Sequence, residues 1–222
     1  MAAQQEKDII DCYDKTARDY AGQFMNELAH KHLDRLLLRS FAAENREAGP
    51  LIDLGCGPGQ TTRFLHDCGI SNLLGTDIAP QMIAVAQSLN PELQFAVADM
   101  LKLPHAGDSF GSAIAFYSIV HFDETQVRSA FQEINRILKP GGQFLFSFHC
   151  GNGSVHLDTF LGHDVHIDFN FFELATILTL VEETGFEVID ALERQPYKDA
   201  EHPSKRAYIW VRKMNARSTD HT

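Results

Sequence analysis

The chain reads as a doubly wound α/β domain: a seven-stranded, mostly parallel sheet with helices on both faces. Three observations predict it. Short apolar runs alternate with amphipathic stretches from residue 51 to residue 148, the rhythm of right-handed strand–helix–strand crossovers. The first run, Leu51-Ile52-Asp53-Leu54, ends in a glycine turn, Gly55-Cys56-Gly57-Pro58-Gly59, and a helical stretch follows at once. Near the C-terminus the rhythm breaks. Two long strand candidates, 186–194 and 205–212, are separated only by a loop holding Pro196 and Pro203, which predicts an antiparallel hairpin.

The elements follow in order. Residues 4–21 and 24–44 read as helices; in the second, Leu28, Leu33, Leu36, Leu37 and Phe41 recur at roughly helical spacing. Gly49-Pro50 then breaks the chain. Strands are expected at 51–54, 73–76, 93–97, 112–117 and 143–148, and helices at 60–67, 80–89 and 123–138. Asn90-Pro91, Pro104 and Pro140-Gly141-Gly142 punctuate these units. Residues 149–170 make too long a connection for an ordinary crossover, so a covering loop or strand insertion is expected there. A helix at 171–184 precedes the hairpin. With 222 residues the chain has room for one domain with a large core. Its expected parts are a helical lid (1–48), a ligand-binding core (49–148), the covering insertion (149–170), the last helix and hairpin (171–214) and a disordered tail (215–222).

Composition narrows the function classes. A formal net charge of −11 argues against a general binder of nucleic acid or anionic membrane. Lys205, Arg206, Arg212, Lys213 and Arg217 read as a solvated strand and a frayed terminus. No apolar run approaches the roughly 20 residues that span a bilayer. The start, Met-Ala-Ala-Gln-Gln-Glu-Lys-Asp, lacks the basic and apolar regions of a secretory signal. Cys12, Cys56, Cys68 and Cys150 are scattered, without a zinc motif or a disulfide framework. A cytoplasmic protein, monomeric or homodimeric, is the expectation. In 149–170 lie His149, His156, His163 and His166 with Asp158, Asp164 and Asp168. Their spacing matches no standard ligand motif, so no metal is expected.

Ligands of doubly wound sheets bind above the carboxyl ends of the strands. Asp53, Asp77 and Asp99 close the first three predicted strands beside the glycine turn. Each alone reads as a turn or helix cap; together they suit a ligand with a ribose and amines. Asp77 could accept from ribose hydroxyls, and Asp99 from an adenine amino group with Ile78 and Met100 on its faces. Asp53 could hold the glycine turn and meet a positively charged amino acid end. A carboxylate there would repel a pyrophosphate, which favours S-adenosylmethionine over NAD.

The motifs 51–59, 75–83 (Gly-Thr-Asp-Ile-Ala-Pro-Gln-Met-Ile), 97–104 (Val-Ala-Asp-Met-Leu-Lys-Leu-Pro), 109–122 and 138–147 (Leu-Lys-Pro-Gly-Gly-Gln-Phe-Leu-Phe-Ser) complete the pattern. In order and spacing the chain resembles the class I S-adenosylmethionine-dependent methyltransferases, in the branch similar to ubiquinone/menaquinone and other small-molecule enzymes. The resemblance implies a Rossmann-like fold and S-adenosylhomocysteine as product. It places Gly55, Cys56 and Gly57 on the methionine half of the cofactor, Asp77 on the ribose, and Asp99 with Met100 on the adenine. Ile78 and Met82 join this cofactor set, Phe116 would offer its carbonyl to the amino group, and Tyr13 and Tyr20 would cover the cofactor. The two tyrosines read equally as a helix packing stripe. Gly111 departs from the family pattern, which often has an acid there.

For the acceptor side, His121 is the candidate general base; the alternative is a buried histidine that caps the next helix or packs beneath the cofactor. Phe148, Phe160, Phe169, Phe171 and Phe172 suggest an apolar or aromatic pocket, with Phe24 and Met25 at the junction of the lid helices. The expected reaction is methyl transfer to oxygen, nitrogen or carbon of a small apolar or aromatic metabolite. A tRNA or protein methyltransferase, or a non-catalytic cofactor-binding regulator, is the alternative.

Overall fold

The structure is a computed structural model and describes residues 2–198 and 201–215. A seven-stranded sheet is built from β1 (Leu51–Leu54), β2 (Leu73–Asp77), β3 (Gln94–Val97), β4 (Phe110–Phe116), β5 (Leu138–His149), β8 (Phe186–Arg194) and β9 (Arg206–Lys213). Its order is β3-β2-β1-β4-β5-β9-β8. The pairs from β3 to β5 are parallel, and β9 runs antiparallel to both β5 and β8. The helices are α1 (Ala2–Phe24), α2 (His32–Asn45), α3 (Gln60–Asp67), α4 (Pro80–Leu89), α5 (Glu124–Ile137) and α6 (Leu174–Glu183). Among the described residues no helix is long and apolar enough to cross a membrane.

Side chains alternate across the strands, so each face of the sheet has its own core. Ile52, Leu54, Ala113, Ala115, Phe144 and Phe146 meet α5 and α6; Leu51, Ile114, Leu145 and Trp210 meet Leu38 and Phe41 of α2 and Leu65 of α3. Helix α5 shows the sequence logic plainly. Val127, Ala130, Phe131, Ile134 and Ile137 fall on one buried stripe, and an Asp123–Gln126 capping box satisfies its first turn.

Two elements depart from the sequence reading by more than three residues at one end. The expected helix at 24–44 is broken: a 3-10 turn at Glu27–Ala29 precedes α2. Lys31 at the break is non-helical, and its ammonium reaches Glu27 Oε2 at 2.7 Å, while Arg35 donates to the carbonyls of Leu28 and Ala29. Strand β5 starts five residues earlier than the 143–148 reading, because Pro140-Gly141-Gly142 forms an irregularity within the strand, where its pairing with β4 shifts register. Gly111 belongs to the same region. A Cβ there would lie 2.0 Å from the Ala48 carbonyl oxygen, so the acid common in the family has no room.

The 149–170 insertion is a two-stranded antiparallel hairpin, β6 (Ser154–Phe160) and β7 (His163–Asn170). It docks on the main body through Asn170, whose amide donates to the Val120 carbonyl at 2.6 Å. Helix α1 lies on it, with Ile9 and Cys12 packed against Val165 and Ile167. Residues 216–222 of the expected tail lie outside the described residues.

Candidate active site

A cavity of about 320 Å³ sits at the carboxyl ends of β1, β2 and β4, roofed by α1 and the β6–β7 hairpin. The topology places it there. Strand order reverses between β1 and β4, and the loops leaving adjacent strands diverge at that point.

One end is the glycine turn. Gly55 and Gly57 have φ of 68° and 53°, the left-handed region that side chains rarely adopt. A Cβ on Gly55 would strike Ser118 Cβ at 2.3 Å, whereas one on Gly57 would meet nothing nearer than 3.9 Å, beside Gln60 and Tyr20. Gly55 is thus a packing glycine, and Gly57 leaves open space. Asp77 holds the turn: its Oδ2 accepts from the Gly57 amide at 2.9 Å and its Oδ1 from the Ala79 amide at 2.9 Å. This corrects the expectation that Asp53 holds it. Asp53 instead accepts from Thr62 Oγ1 of α3 at 2.6 Å and is buried on the cavity floor. Burial pushes its carboxyl up to about 7 and raises that of Asp77 as well, against three backbone N–H donors.

The other expected cofactor residues converge on this end. Tyr13, Tyr20, Cys56, Ile78, Met82, Asp99, Met100 and Phe116 all line the cavity. Asp99 Oδ1 accepts from the Leu101 amide at 2.8 Å, which leaves Oδ2 uncommitted to that contact. Tyr13 and Tyr20 meet edge to face, with centroids 6.0 Å apart, and pack with Met82 and Ala79. The site also passes a chemical test for a polar ligand. Gln60 Oε1 and Ser118 Oγ are buried without a hydrogen-bond partner among the described residues, and both residues line the cavity. Such orphaned groups each cost about 1–3 kcal/mol unless something meets them. A ribose, an adenine and an amino acid end match the carboxylates, the apolar walls and these orphans.

His121 is buried in the middle of the cavity wall. Its Nδ1 lies 2.7 Å from the Asp168 carbonyl oxygen, which only accepts, so Nδ1 carries the proton. Nε2 then accepts from the Tyr13 hydroxyl at 2.7 Å. Burial lowers the imidazole to about 4. The ring therefore pins α1 to the hairpin, and its basic nitrogen faces Tyr13. Phe160 and Phe169 close the wall, and Phe24 lines the cavity too. Phe148 and Phe172 belong to the core instead.

The far end of the cavity was not foreseen from the sequence. Glu27, Lys31, Asp34, His149, Glu201 and Arg206 line it. Arg206, read from the sequence as a solvated strand residue, is 3% exposed. A Glu-x₄-Arg-x-Tyr run (Glu201, Arg206, Tyr208) was the available signal, but charge runs at a terminus look solvated until the tertiary structure buries them. His156, Asp158 and His166 cluster on the outer, exposed face of the hairpin, away from the cavity.

Comparison with known proteins agrees with this geometry. Residues 51–142 match a family model described as a methyltransferase domain. The chain is 32% identical over 146 residues to the Probable tRNA methyltransferase 9B of Bos taurus, covering 65% of this chain and 30% of that protein. It is 31% identical over 122 residues to the malonyl-[acyl-carrier protein] O-methyltransferase of Enterobacter lignolyticus, covering 55% of this chain and 46% of that protein. The chain thus spans half or less of the length of these relatives. A crystal structure of an S-adenosylmethionine-dependent methyltransferase from Methanosarcina mazei superposes with a TM-score of 0.68 at 18% identity, over 75% of this chain and 93% of that one. Residues 51–142 thus resemble a methyltransferase domain, and the chain shares the fold of a solved S-adenosylmethionine-dependent methyltransferase.

Proposed function

We propose that this protein transfers a methyl group from S-adenosylmethionine to a small molecule with an apolar or aromatic body, within a single domain whose lid is α1 and the hairpin. The observation that carries the reading is the roofed cavity: one end suits the cofactor, and the space left faces Phe24, Phe116 and Phe160. When bound, the cofactor supplies a methyl group made electrophilic by a positively charged sulfur. The protein's residues then have to bind, align and exclude water.

In this reading the second lone pairs of Asp77 take the ribose hydroxyls, and Asp99 with Ile78 and Met100 takes the adenine. Gly55, Cys56 and Gly57 border the amino acid part, with the Phe116 carbonyl accepting from its ammonium and Asp53 supplying negative charge beneath it. Tyr13, Tyr20 and Met82 cover the site. A proton released by the acceptor passes to Tyr13, whose own proton moves to His121 Nε2 along their 2.7 Å hydrogen bond. His121 is the terminal base in this relay.

Titration calorimetry with S-adenosylhomocysteine tests the cofactor half: micromolar binding is expected. Asp77→Ala should weaken it about 10- to 100-fold, the scale of about 1–3 kcal/mol for a lost charge-assisted bond. Absence of binding to the unaltered protein would sink the reading. The names of relatives leave tRNA as a second acceptor class. The net charge of −11 opposes it, and a tRNA shift assay over a salt series separates the two.

A further inference from the structure

The far end of the cavity is a built polar site. Its anions are already engaged. Glu201 accepts from Arg194 through both oxygens, at 2.7 and 2.6 Å, and from the Tyr197 amide at 2.8 Å. Asp34 accepts from Arg194, Tyr208 and Tyr117 at 3.0, 2.7 and 3.0 Å. Glu27 takes Gln60 at 3.3 Å and Lys31 at 2.7 Å.

Its cations are engaged only in part. Lys31 makes one hydrogen bond, to Glu27, and stands 3.8 Å from Glu201 and 4.6 Å from the Tyr117 ring centroid. Arg206 spends three N–H groups on Ser204 and the His202 carbonyl, and its Nε is 4.0 Å from Glu201, beyond hydrogen-bond length. Among the described residues, donors therefore remain on Lys31 and Arg206 beside carboxylates that already hold two or three donors each. Both cations are nearly buried, with side chains 9% and 3% exposed, so donors left over there carry a desolvation cost that an incoming acceptor removes. His149 reports the same field: burial first, then Arg206, His202 and Lys31, lower it to about 3.

From this surplus we infer that the methyl acceptor carries an anionic group, of the carboxylate kind, which Lys31 and Arg206 bind at the far end of the cavity. The inference rests on the methyltransferase reading and names its substrate class. An aromatic or apolar body would lie along Phe116 and Phe24, with the anion fixing its orientation. An ammonium would add donors beside the donors that Lys31 and Arg206 have to spare, so selection among similar bodies is electrostatic.

The test uses three probes with one body: 4-hydroxybenzoate, 4-hydroxybenzyl alcohol and tyramine. Each is titrated into protein saturated with S-adenosylhomocysteine. The carboxylate should bind at least tenfold more tightly than the alcohol, and tyramine least. Lys31→Met and Arg206→Gln should each weaken the carboxylate at least tenfold while S-adenosylhomocysteine affinity stays within twofold, which also shows that the variant folds. If Arg206→Gln does not fold, Lys31→Met and the probe ranking on the unaltered protein decide. Equal or reversed ranking, no binding of any probe, or indifference of carboxylate binding to Lys31→Met overturns the proposal. Loss of S-adenosylhomocysteine binding by the unaltered protein would instead overturn the methyltransferase reading beneath it.

Discussion

Single residues here do more than one task, and the two faces of Asp168 show it. Its carbonyl oxygen fixes the His121 tautomer inside the cavity, while its carboxylate meets His156 Nδ1 at 2.8 Å on the outside. His121 is neutral because it is buried, and this has a pH consequence. Its value falls from about 6.5 in an unfolded chain to about 4 in the fold. The unfolded chain therefore binds more protons between those values, so the stability His121 contributes is present above about pH 6.5 and is lost as pH falls toward 4. Comparing melting temperatures of the protein and His121→Gln isolates this contribution, since Asp53 and His149 titrate in both. The gap between them should be narrower at pH 5 than at pH 7.5. A gap that holds constant or widens on acidification would reject the assignment.

At the scale of elements, local sequence decides some ends and neighbours decide others. Helix α5 starts where Asp123 and Gln126 cap each other, so Asp123→Ala should cost about 0.5–2 kcal/mol of stability. Chemical denaturation measures this, and S-adenosylhomocysteine affinity should be unchanged because the cap points to solvent. The break before α2 is of the other kind. The Leu28–Phe41 periodicity reads as one helix, yet the chain turns at Glu27–Ala29 so that Lys31 reaches Glu27 and Glu201. No window of local sequence contains Glu201. The irregularity in β5 is similar, since Pro-Gly-Gly reads as a terminator and is absorbed by pairing with β4.

For the whole molecule, the roof is the part whose mobility the proposed function requires. α1 and the hairpin pack on each other through a small cluster of their own, and they meet the body at Asn170, at His121 and where Tyr13 and Tyr20 pack on Ala79 and Met82 of the α4 region. A cofactor enclosed beneath them has to enter, so opening of this unit is expected below the global unfolding energy. Hydrogen exchange should slow in residues 2–24 and 154–170 on saturation with S-adenosylhomocysteine and stay unchanged in α5 and α6. Equal exchange with and without ligand in the roof would show that it is no lid.

The order of strands and helices, the glycine turn and the acids at three strand ends were legible in the sequence, because periodicity and turn chemistry act over a few residues. They determined the fold and carry the proposal of the methyl donor. The tertiary structure alone decided which acid does what: Asp77 holds the turn because β2 lies beside β1, and Asp53 is turned toward Thr62 of α3. It alone gathered Glu27, Lys31, Glu201 and Arg206 into one buried pocket end. Glu27 and Lys31 pair locally, but the approach of Lys31 to Glu201 joins distant parts of the chain, and burial of a charge is a property of the neighbours that surround it.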